Sequence, residues 1–379
     1  MKLKQLEAYH FRSLRHTRLA LEDLNLLIGA NASGKSNLLD ALRFLSEGLR
    51  EGDFSGPVHL RGGIVHLAWK GEEARELSLT TEFSDGDVGL VWRVRLLRRN
   101  YEFSVAEESV EQTDGRHRNV LKARDGEGYW QSEQGQVRLK LGPTGCALAA
   151  AAADAVFPAR QLADFIRKWA FFDPDPLLIR RSTVGAADKT SPLDAYGRNL
   201  AAKLHAIQQN DAQGFERILD AARSVLALLE KIEPRRSVTE EEEERFYFVQ
   251  RETGLQYPVH QLGASAGTLR VLALITALYA DPEVCLVGLE EPENYVHPGA
   301  ISSFAEHLKN ASGRLQIIVT THSPLLLSAV GAPEVVCVVR RTERGTEVAR
   351  EDNPDAVRKA LEQSGFGLGE FYETKGFGA

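Results

Sequence analysis

Three short stretches of this sequence are almost entirely apolar, and such stretches are typical of strands buried on both faces of a sheet. They cover residues 24–28, 284–289 and 315–319. After the first stretch, apolar residues recur with the spacing of a helix, at Leu38, Leu39, Ala41, Leu42, Leu45 and Leu49. Buried strands that alternate with helices predict an α/β fold.

A second pattern, in which apolar and polar residues alternate, predicts strands over residues 2–9 and within residues 75–141. Residues 17–21 are the expected hairpin partner of the first strand. Turn signals punctuate the longer region, at Asp85-Gly86, Asp114-Gly115 and Asp125-Gly126. We therefore predict an antiparallel meander over residues 75–141.

Amphipathic stretches in the middle of the chain predict helices. They cover residues 147–155, 160–170, 199–209 and 215–231, and Glu233-Pro234 is expected to end the last helix. The remaining segments are predicted as a glycine-rich connector (48–71), a loop (182–192) and a hairpin (246–249 with 256–259).

Composition limits the class of protein. The 379 residues suffice for one large or two small domains, and 43% apolar with 26% charged residues is ordinary for a globular protein. The net charge of −7 argues against a uniformly basic nucleic-acid binder, although it allows a local basic groove. The five glutamates Glu240–Glu244 have two interpretations, a solvated face or a patch that repels nucleic acid.

Three features indicate a cytoplasmic protein with no membrane partner. No run of 18 or more apolar residues is present, and Met1-Lys2-Leu3-Lys4 lacks the apolar core of a signal peptide. Cys146, Cys285 and Cys337 are scattered. We expect them to be free thiols in a reducing compartment.

The residues after the first buried strand match the phosphate-binding loop G-x-x-x-x-G-K-[ST], from Gly29 to Ser36. Glycines let backbone N–H groups approach phosphate oxygens, and the following helix directs its positive end at the same anion. Lys35 is expected to reach the β- and γ-phosphates, and the Ser36 hydroxyl to bind Mg²⁺. The predicted phosphate-binding residues are Asn31, Ala32, Ser33, Gly34, Lys35, Ser36 and Asn37.

Ionisable residues end the other two buried strands. Glu290 and Glu291 follow residues 284–289, at the edge where α/β sheets bind ligands. Adjacent carboxylates repel unless a metal or a proton separates them. We therefore assign Glu290 to the Mg²⁺ shell and Glu291 to the attacking water. His322 ends the third strand and is a candidate sensor of the γ-phosphate, although a lone histidine is more often structural.

Ser265 and Gly267 stand where an apolar helix is predicted to begin, just before residues 271–279. A hydroxyl and free N–H groups at a helix start suit a phosphate, and they suit a simple helix cap equally well. Both interpretations stay open on the residues alone.

Together these motifs resemble an ABC-type ATPase head, and more narrowly the structural-maintenance-of-chromosomes (SMC) and RecF-like branch related to OLD proteins. Arg12, in Phe11-Arg12-Ser13, matches an arginine that this branch places against bound nucleotide. The resemblance implies a P-loop NTPase head with a mixed central sheet, an antiparallel β subdomain and a short helical insertion lobe. The expected regions are an N-terminal ATPase lobe (1–145), a helical lobe (146–245) and a C-terminal ATPase lobe (246–379).

The resemblance also implies a mechanism. ATP and Mg²⁺ would be the cofactors, and the catalytic residues would be Lys35, Glu290, Glu291 and His322. Two heads would pair head to tail as a homodimer, with Ser265 and Gly267 acting on the partner's nucleotide. ATP binding would join the heads, and hydrolysis would release them.

The sequence departs from the family pattern at several points. Glu290 stands where relatives have aspartate, and Ala264 precedes Ser265 where many have leucine. The family's glutamine loop is not placed, although Gln161 is one candidate. The residues after His322 are expected to be too few for the nuclease domain of OLD proteins.

The leading hypothesis is an ATP-hydrolysing switch that acts on DNA or a DNA-processing partner, in repair or phage defence. Its DNA part depends on family analogy alone. A local basic cluster either touches phosphates or is a solvated sheet face, and it comprises Arg93, Arg95, Arg98 and Arg99. The alternative is a slow-turnover regulatory module that docks a separate effector protein. A transporter ATPase is disfavoured, since no membrane-docking element is visible.

Overall fold

The computed structural model describes residues 1–70, 75–113, 117–132, 135–182, 192–238, 244–350 and 353–374. The chain divides into two compact units. The first unit is Met1–Trp169 with Val335–Asp352, and the second is Ala170–Glu334 with Asn353–Gly376. The predicted Asp114-Gly115 turn, the 182–192 loop and the glutamate run at 240–244 lie wholly or largely outside the described residues.

Strands occur in both units. In chain order they are β1 (Lys2–Phe11), β2 (Leu14–Ala20), β3 (Leu24–Ile28), β4 (Glu76–Asp85), β5 (Val88–Arg99), β6 (Glu102–Thr113), β7 (His117–Arg124), β8 (Glu127–Ser132), β9 (Gly135–Lys140), β10 (Trp169–Phe172), β11 (Leu229–Val238), β12 (Glu244–Glu252), β13 (Val259–His260), β14 (Leu286–Glu290), β15 (Gln316–Thr321), β16 (Val336–Thr342) and β17 (Gly345–Arg350).

Both units also contain helices. They are α1 (Lys35–Glu51), α2 (Ser55–Leu60), α3 (Ile64–Leu67), α4 (Ala147–Ala152), α5 (Arg160–Arg167), α6 (Pro176–Arg181), α7 (Leu200–Asn210), α8 (Ala212–Val225), α9 (Ala266–Tyr279), α10 (Ile301–Ser312), α11 (Pro324–Val330), α12 (Pro354–Ser364) and α13 (Leu368–Thr374).

The predicted antiparallel meander is confirmed in the first unit. Strands β4 to β9 pair consecutively, and the β1–β2 hairpin joins them through β4, giving the order β2-β1-β4-β5-β6-β7-β8-β9. Leu3, Leu6 and Ala8 of β1 are all fully buried, and a shift in the pairing with β4 between Leu3 and Gln5 changes the alternation there. Because side chains on a strand alternate between its two faces, one face of this sheet can pack while the other stays polar.

A buried carboxylate fixes a helix to this sheet. Glu108 on β6 is fully buried. It accepts hydrogen bonds from the backbone N–H groups of Ala147 (2.6 Å) and Leu148 (2.8 Å) and from Trp92 Nε1 (2.9 Å). Burial raises the pKa of the Glu108 carboxyl, and these donors oppose that shift in part. The carboxylate thereby satisfies two N–H groups at the start of α4 that have no partner within the helix.

The strand and helix around the phosphate loop also belong to the first unit. Strand β3 pairs in parallel with β16, which pairs antiparallel with β17, so these strands form a mixed arrangement. Helix α1 runs to Glu51, into the segment predicted as a connector, and α2 and α3 follow it. Gly48 is a packing glycine of α1, since a Cβ there would lie 2.2 Å from the ring of Phe54.

The second unit contains the other two buried strands. Both predicted buried strands are present, and β14 and β15 are adjacent and parallel, with Leu289 opposite Val319. Strand β12 pairs antiparallel with β13, which confirms the predicted hairpin in part, since its second strand is only Val259–His260 and not residues 256–259. Strand β12 also pairs along its length with β11. The helix predicted over 215–231 is wrong at its end. It stops at Val225, because residues 229–238 pair with β12 instead of continuing the helical spacing.

Candidate nucleotide-binding site

Two glycines of the phosphate loop have no space for a Cβ. Gly34 has φ +108°, and a Cβ there would lie 2.1 Å from Thr346 Oγ1. A Cβ on Gly29 would lie 2.1 Å from the carbonyl oxygen of Val339. Both glycines of the motif are therefore required by close packing inside the first unit, as well as by the approach of a phosphate.

Lys35 lies across the loop that precedes it. The side chain is buried, and Nζ donates to the carbonyl oxygens of Gly29 (2.7 Å) and Ala30 (3.1 Å). A phosphate oxygen is a stronger partner for an ammonium group than an amide carbonyl is. Ser33 Oγ, in the same loop, is buried and has no hydrogen-bond partner among the described residues. The loop thus offers an anion both a cation and an unsatisfied hydroxyl.

A side-chain network from distant parts of the chain supports the loop. The hydroxyls of Ser13 and Thr346 lie 2.7 Å apart, and Thr346 Oγ1 donates to the Ser33 carbonyl oxygen at 2.9 Å. Asn37 Nδ2 donates to Ser13 Oγ at 2.7 Å. Ser13 and Asn37 belong to motifs visible in the sequence. Thr346 was missed, because nothing near it in the sequence marks a position that meets a loop more than 300 residues earlier.

Arg12 lies beside the first turns of α1. Its backbone has φ +50°, and its guanidinium pairs with Asp40 at 3.1 Å. Asp40 is shared with Arg61, at 2.8 Å. The Nε of Arg12 is buried without a hydrogen-bond partner in the described part of the chain. The arginine that the resemblance places against nucleotide is therefore held next to the loop by a carboxylate of the following helix.

A cavity of about 580 Å³ adjoins Arg12 and Ser13. Trp69 and Arg341 line it, and the guanidinium of Arg341 lies over the Trp69 ring, 5.5 Å from its centre. Its other lining residues include His66 and Lys70. An aromatic ring with cationic neighbours suits a planar, anionic ligand such as a nucleotide.

In the second unit, the residues after β14 form what we call the carboxylate turn, Glu290–Asn294. Glu291 has φ +40°, an unusual backbone for a residue with a side chain. Its N–H donates to the Thr320 carbonyl oxygen at 3.0 Å, and its Oε2 accepts from Asn294 Nδ2 at 2.9 Å. These contacts fix the direction of the Glu291 carboxylate. Strain of this kind is often found at functional sites.

Arg270 holds the carboxylate turn from the inside. It is 3% exposed, and Nη2 donates to the carbonyl oxygens of Glu290 (2.8 Å) and Glu291 (3.1 Å). It also contacts the Asp173 carboxylate at 3.1 Å. Arg270 stands on α9, five residues after Ser265. Sequence reasoning missed Arg270, because an arginine inside an apolar helix has no local signal of what it binds.

His322 follows β15 directly and is half-exposed. Its Nδ1 lies 3.5 Å from Glu291 Oε1 and 3.9 Å from Glu293 Oε1. Glu293 itself accepts hydrogen bonds from Thr321 Oγ1 (2.5 Å) and from the backbone N–H of His322 (3.2 Å). The structure therefore brings together two of the predicted catalytic residues, Glu291 and His322, and adds Glu293 to them.

Ser265 and Gly267 occupy the start of α9, as predicted. Ser265 is exposed and caps the helix, accepting from the Thr268 N–H at 3.0 Å. A Cβ on Gly267 would lie 2.5 Å from the Tyr295 carbonyl oxygen. A groove of about 750 Å³ adjoins both residues, and it is lined by Tyr295 and Val296, not by Glu291 or His322. The helix-cap interpretation of Ser265 is thus observed, and its exposure leaves the phosphate interpretation open.

The described residues contain no group of three or more His, Cys, Asp and Glu side chains that could hold a metal ion. A Mg²⁺ bound largely by nucleotide phosphates and water needs only one or two protein ligands, so it requires no such cluster. In the same part of the chain, no helix is both long and apolar enough to cross a membrane.

Comparison with known proteins identifies the family. The model of the family described as "AAA domain, putative AbiEii toxin, Type IV TA system" matches residues 24–328, most of the chain. The "Old nuclease" of Escherichia phage P2 is 22% identical over 419 residues, covering 99% of this chain. This chain covers 63% of that protein, which is less than two thirds of its length.

Solved structures show the same fold. An SMC head bound to the C-terminal winged-helix domain of ScpA superposes with a TM-score of 0.61 at 13% identity, covering 94% of this chain and all of that one. An SMC head with an extended coiled coil, bound to the C-terminal domain of ScpA derived from Pyrococcus furiosus, gives 0.54 at 12% identity, covering 96% and 99%. The chain therefore belongs to this AAA family, and it has the fold of an ABC/SMC-like ATPase head related to OLD proteins.

Proposed function

We propose that this protein binds ATP with Mg²⁺ and hydrolyses it, and that ATP joins two copies as a homodimer. The observation that carries the proposal is the phosphate loop, in which Gly29 and Gly34 leave no space for a Cβ and Lys35 is held at the loop carbonyls. Family and fold support an ATPase of this kind.

The first unit would bind the nucleotide. Backbone N–H groups of residues 31–34, with Lys35 and Asn37, would bind the phosphates, and Ser36 would bind Mg²⁺. Arg12 and the cavity beside Trp69 would hold the nucleoside end, because that cavity adjoins Arg12 and Ser13. A bound Mg²⁺ supplies charge neutralisation at the phosphates.

The second unit would provide the catalytic groups. Glu290 would complete the Mg²⁺ shell, and Glu291 would orient or deprotonate water, since Asn294 fixes its carboxylate at 2.9 Å. His322 would report the γ-phosphate, because it follows β15 and lies 3.5 Å from Glu291. Ser265 and Gly267 would act on the nucleotide of a second copy, and Ser265 is exposed as that role requires.

The physiological action is a finer proposal. We propose a switch that acts on DNA or on a DNA-processing partner in repair or phage defence. The structure does not favour the predicted basic cluster as its DNA surface, since Arg95 pairs with Glu76 at 3.2 Å and Glu107 at 3.1 Å. Arg93 lies 3.6 Å from Glu111. Ion-paired arginines are more typical of a solvated sheet face.

A second candidate is a slow-turnover module that docks a separate effector protein in the cytoplasm. The feature that favours it is Glu290, whose side chain is one methylene longer than the aspartate of relatives and would alter the metal geometry. Turnover distinguishes the candidates. The switch predicts a measurable rate of phosphate release from the wild type, whereas the module predicts ATP binding with almost none.

The test combines phosphate release with size-exclusion chromatography and light scattering, with and without MgATP. We expect the wild type to release phosphate and Glu291→Gln to lose at least about 100-fold in rate while its mass doubles with ATP. Glu306→Gln on α10, an exposed carboxylate that pairs with Lys309, is the matched control. Absence of ATP-dependent mass change in both wild type and Glu291→Gln would overturn the dimer.

A further inference from the structure

Glu293 is a buried carboxylate with no role in the mechanism described so far. Its side chain is 6% exposed. Oε1 accepts two hydrogen bonds, from Thr321 Oγ1 and from the backbone N–H of His322. Oε2 is buried and has no hydrogen-bond partner among the described residues. An unsatisfied buried carboxylate oxygen is costly to keep, so it calls for an explanation.

The His322 ring lies beside this carboxylate and beside Glu291. Its Nδ1 is 3.9 Å from Glu293 Oε1 and 3.5 Å from Glu291 Oε1. A lone pair on Nδ1 would point at two acceptor-only groups, whereas an Nδ1–H would be attracted by both. The geometry therefore favours the tautomer with the proton on Nδ1, and it leaves Nε2 for a ligand.

The surrounding elements add no competing charge at this ring. Strand β15 and helix α11, on either side of His322, carry no ionisable side chain. Helix α10 packs against β15, but its Glu306 and Lys309 pair with each other, and its His307 bonds to Ser224 and Tyr279. Within this unit, Glu291 and Glu293 are thus the charged groups placed at Nδ1 by described contacts.

We propose that Glu293 is a positioning residue, which holds His322 in the Nδ1–H tautomer and so keeps Glu291 available to water. This proposal rests on the proposed ATPase function. Glu291 cannot serve both as the only acceptor for the histidine and as the base for water, and a second carboxylate removes that conflict.

Glu293→Gln tests the proposal with little change of shape. Its amide oxygen can still accept from Thr321 and from the His322 backbone, so the strand end is retained. The atom nearest Nδ1 stays an oxygen but loses its negative charge, so the side chain at position 293 attracts a proton on Nδ1 less strongly. We expect kcat for ATP to fall about 10- to 100-fold, the range typical of such supporting partners, with KM changed less than about threefold.

The spectroscopic readout is the tautomer of His322, measured by ¹⁵N NMR of histidine-labelled protein without nucleotide. The His322→Gln variant assigns the signal, and Glu306→Gln is the matched control. We expect the Nδ1–H tautomer to predominate in the wild type and in Glu306→Gln, and its fraction to fall in Glu293→Gln, where only Glu291 still places a carboxylate beside Nδ1. A merely structural role for Glu293 would leave the tautomer unchanged.

Two results would overturn the proposal: an equal fraction of the Nδ1–H tautomer in wild type and Glu293→Gln, or a lowered fraction with an unaltered kcat. Failure of the proposed function looks different. In that case the wild type releases no phosphate at all, whereas the tautomer comparison, made without nucleotide, still decides whether Glu293 positions the ring.

Discussion

The phosphate loop and the carboxylate turn achieve their geometry by different means. The loop is determined by backbone packing, since a Cβ at Gly29 or Gly34 would overlap a neighbouring atom at 2.1 Å. The carboxylate turn is determined by side chains, with Glu291 at φ +40° held by Arg270 and Asn294. Substitutions in the phosphate loop should therefore remove ATP binding. Substitutions in the carboxylate turn should leave ATP binding intact and reduce the rate of hydrolysis.

The largest expected effect is that of Gly34→Ala. The added Cβ meets Thr346 Oγ1 at a residue whose φ is +108°, so the loop must rearrange. We expect MgATP affinity to fall by more than about 100-fold, equivalent to about 3 kcal/mol, as measured by calorimetry. Gly86→Ala is the matched control, because Gly86 has φ +60° and open space at its Cβ position. Equal losses in both variants would contradict the packing account.

Glu108→Gln should lower stability without altering the loop. One carboxylate oxygen becomes an NH₂ group facing the donors of Ala147, Leu148 or Trp92. We expect the free energy of unfolding to fall by about 2 kcal/mol, as measured with urea, with unchanged ATP affinity of the folded protein. A loss of ATP affinity equal to that of Gly34→Ala would contradict the claim that Glu108 stabilises the fold without affecting the loop.

The pH dependence of the Glu108 contribution has a definite sign. Because burial raises its pKa in the folded protein, the folded state binds this proton more tightly than the unfolded chain does. The contribution of Glu108 to stability therefore falls as pH rises above about 4.5 and through the raised pKa. This part of the pH dependence should be absent in Glu108→Gln.

Thr346→Val tests how much the side-chain network around the phosphate loop contributes to ATP binding. It removes the hydroxyl that contacts Ser13 and the Ser33 carbonyl at 2.7 and 2.9 Å. We expect ATP affinity to fall about tenfold, about 1.4 kcal/mol for the lost bonds, with turnover at saturating ATP largely retained. Thr346→Ser keeps the hydroxyl and should bind like the wild type, and failure of serine to restore affinity would contradict the hydrogen-bond explanation.

The smallest expected effect is that of Glu233→Gln on β11, a residue that belongs to neither the phosphate loop nor the carboxylate turn. Hydrogen bonds from Arg251 and Arg235 lower the pKa of Glu233 to about 2. A lowered carboxyl pKa stabilises the fold above the unfolded value of about 4.5, and this contribution is lost as pH falls towards 2. Because solvent screens these ion pairs, we expect Glu233→Gln to lower the free energy of unfolding by less than about 1 kcal/mol at pH 7. We expect no difference between wild type and variant in urea melts near pH 2.

The sequence predicts the loop better than its surroundings, for a physical reason. The geometry of Gly29 to Ser36 depends on local backbone freedom, which residue type reveals. Strand ends at Glu290 and His322 were also visible, because apolar runs mark buried strands. Thr346, Arg270 and Glu293 were not assigned roles, since their partners lie far away in the sequence. The helix predicted to Lys231 failed because pairing of β11 with β12 overrode a helical apolar pattern.

The most direct test of the central claim is calorimetric titration of the wild type and Lys35→Ala with MgATP, after circular dichroism has shown both to be folded. We predict saturable binding of one nucleotide per chain by the wild type and at least about 100-fold weaker binding by Lys35→Ala, which lacks the charged donor to the phosphates. A folded wild-type protein that takes up no ATP, or a Lys35→Ala variant that binds equally well, would contradict the account.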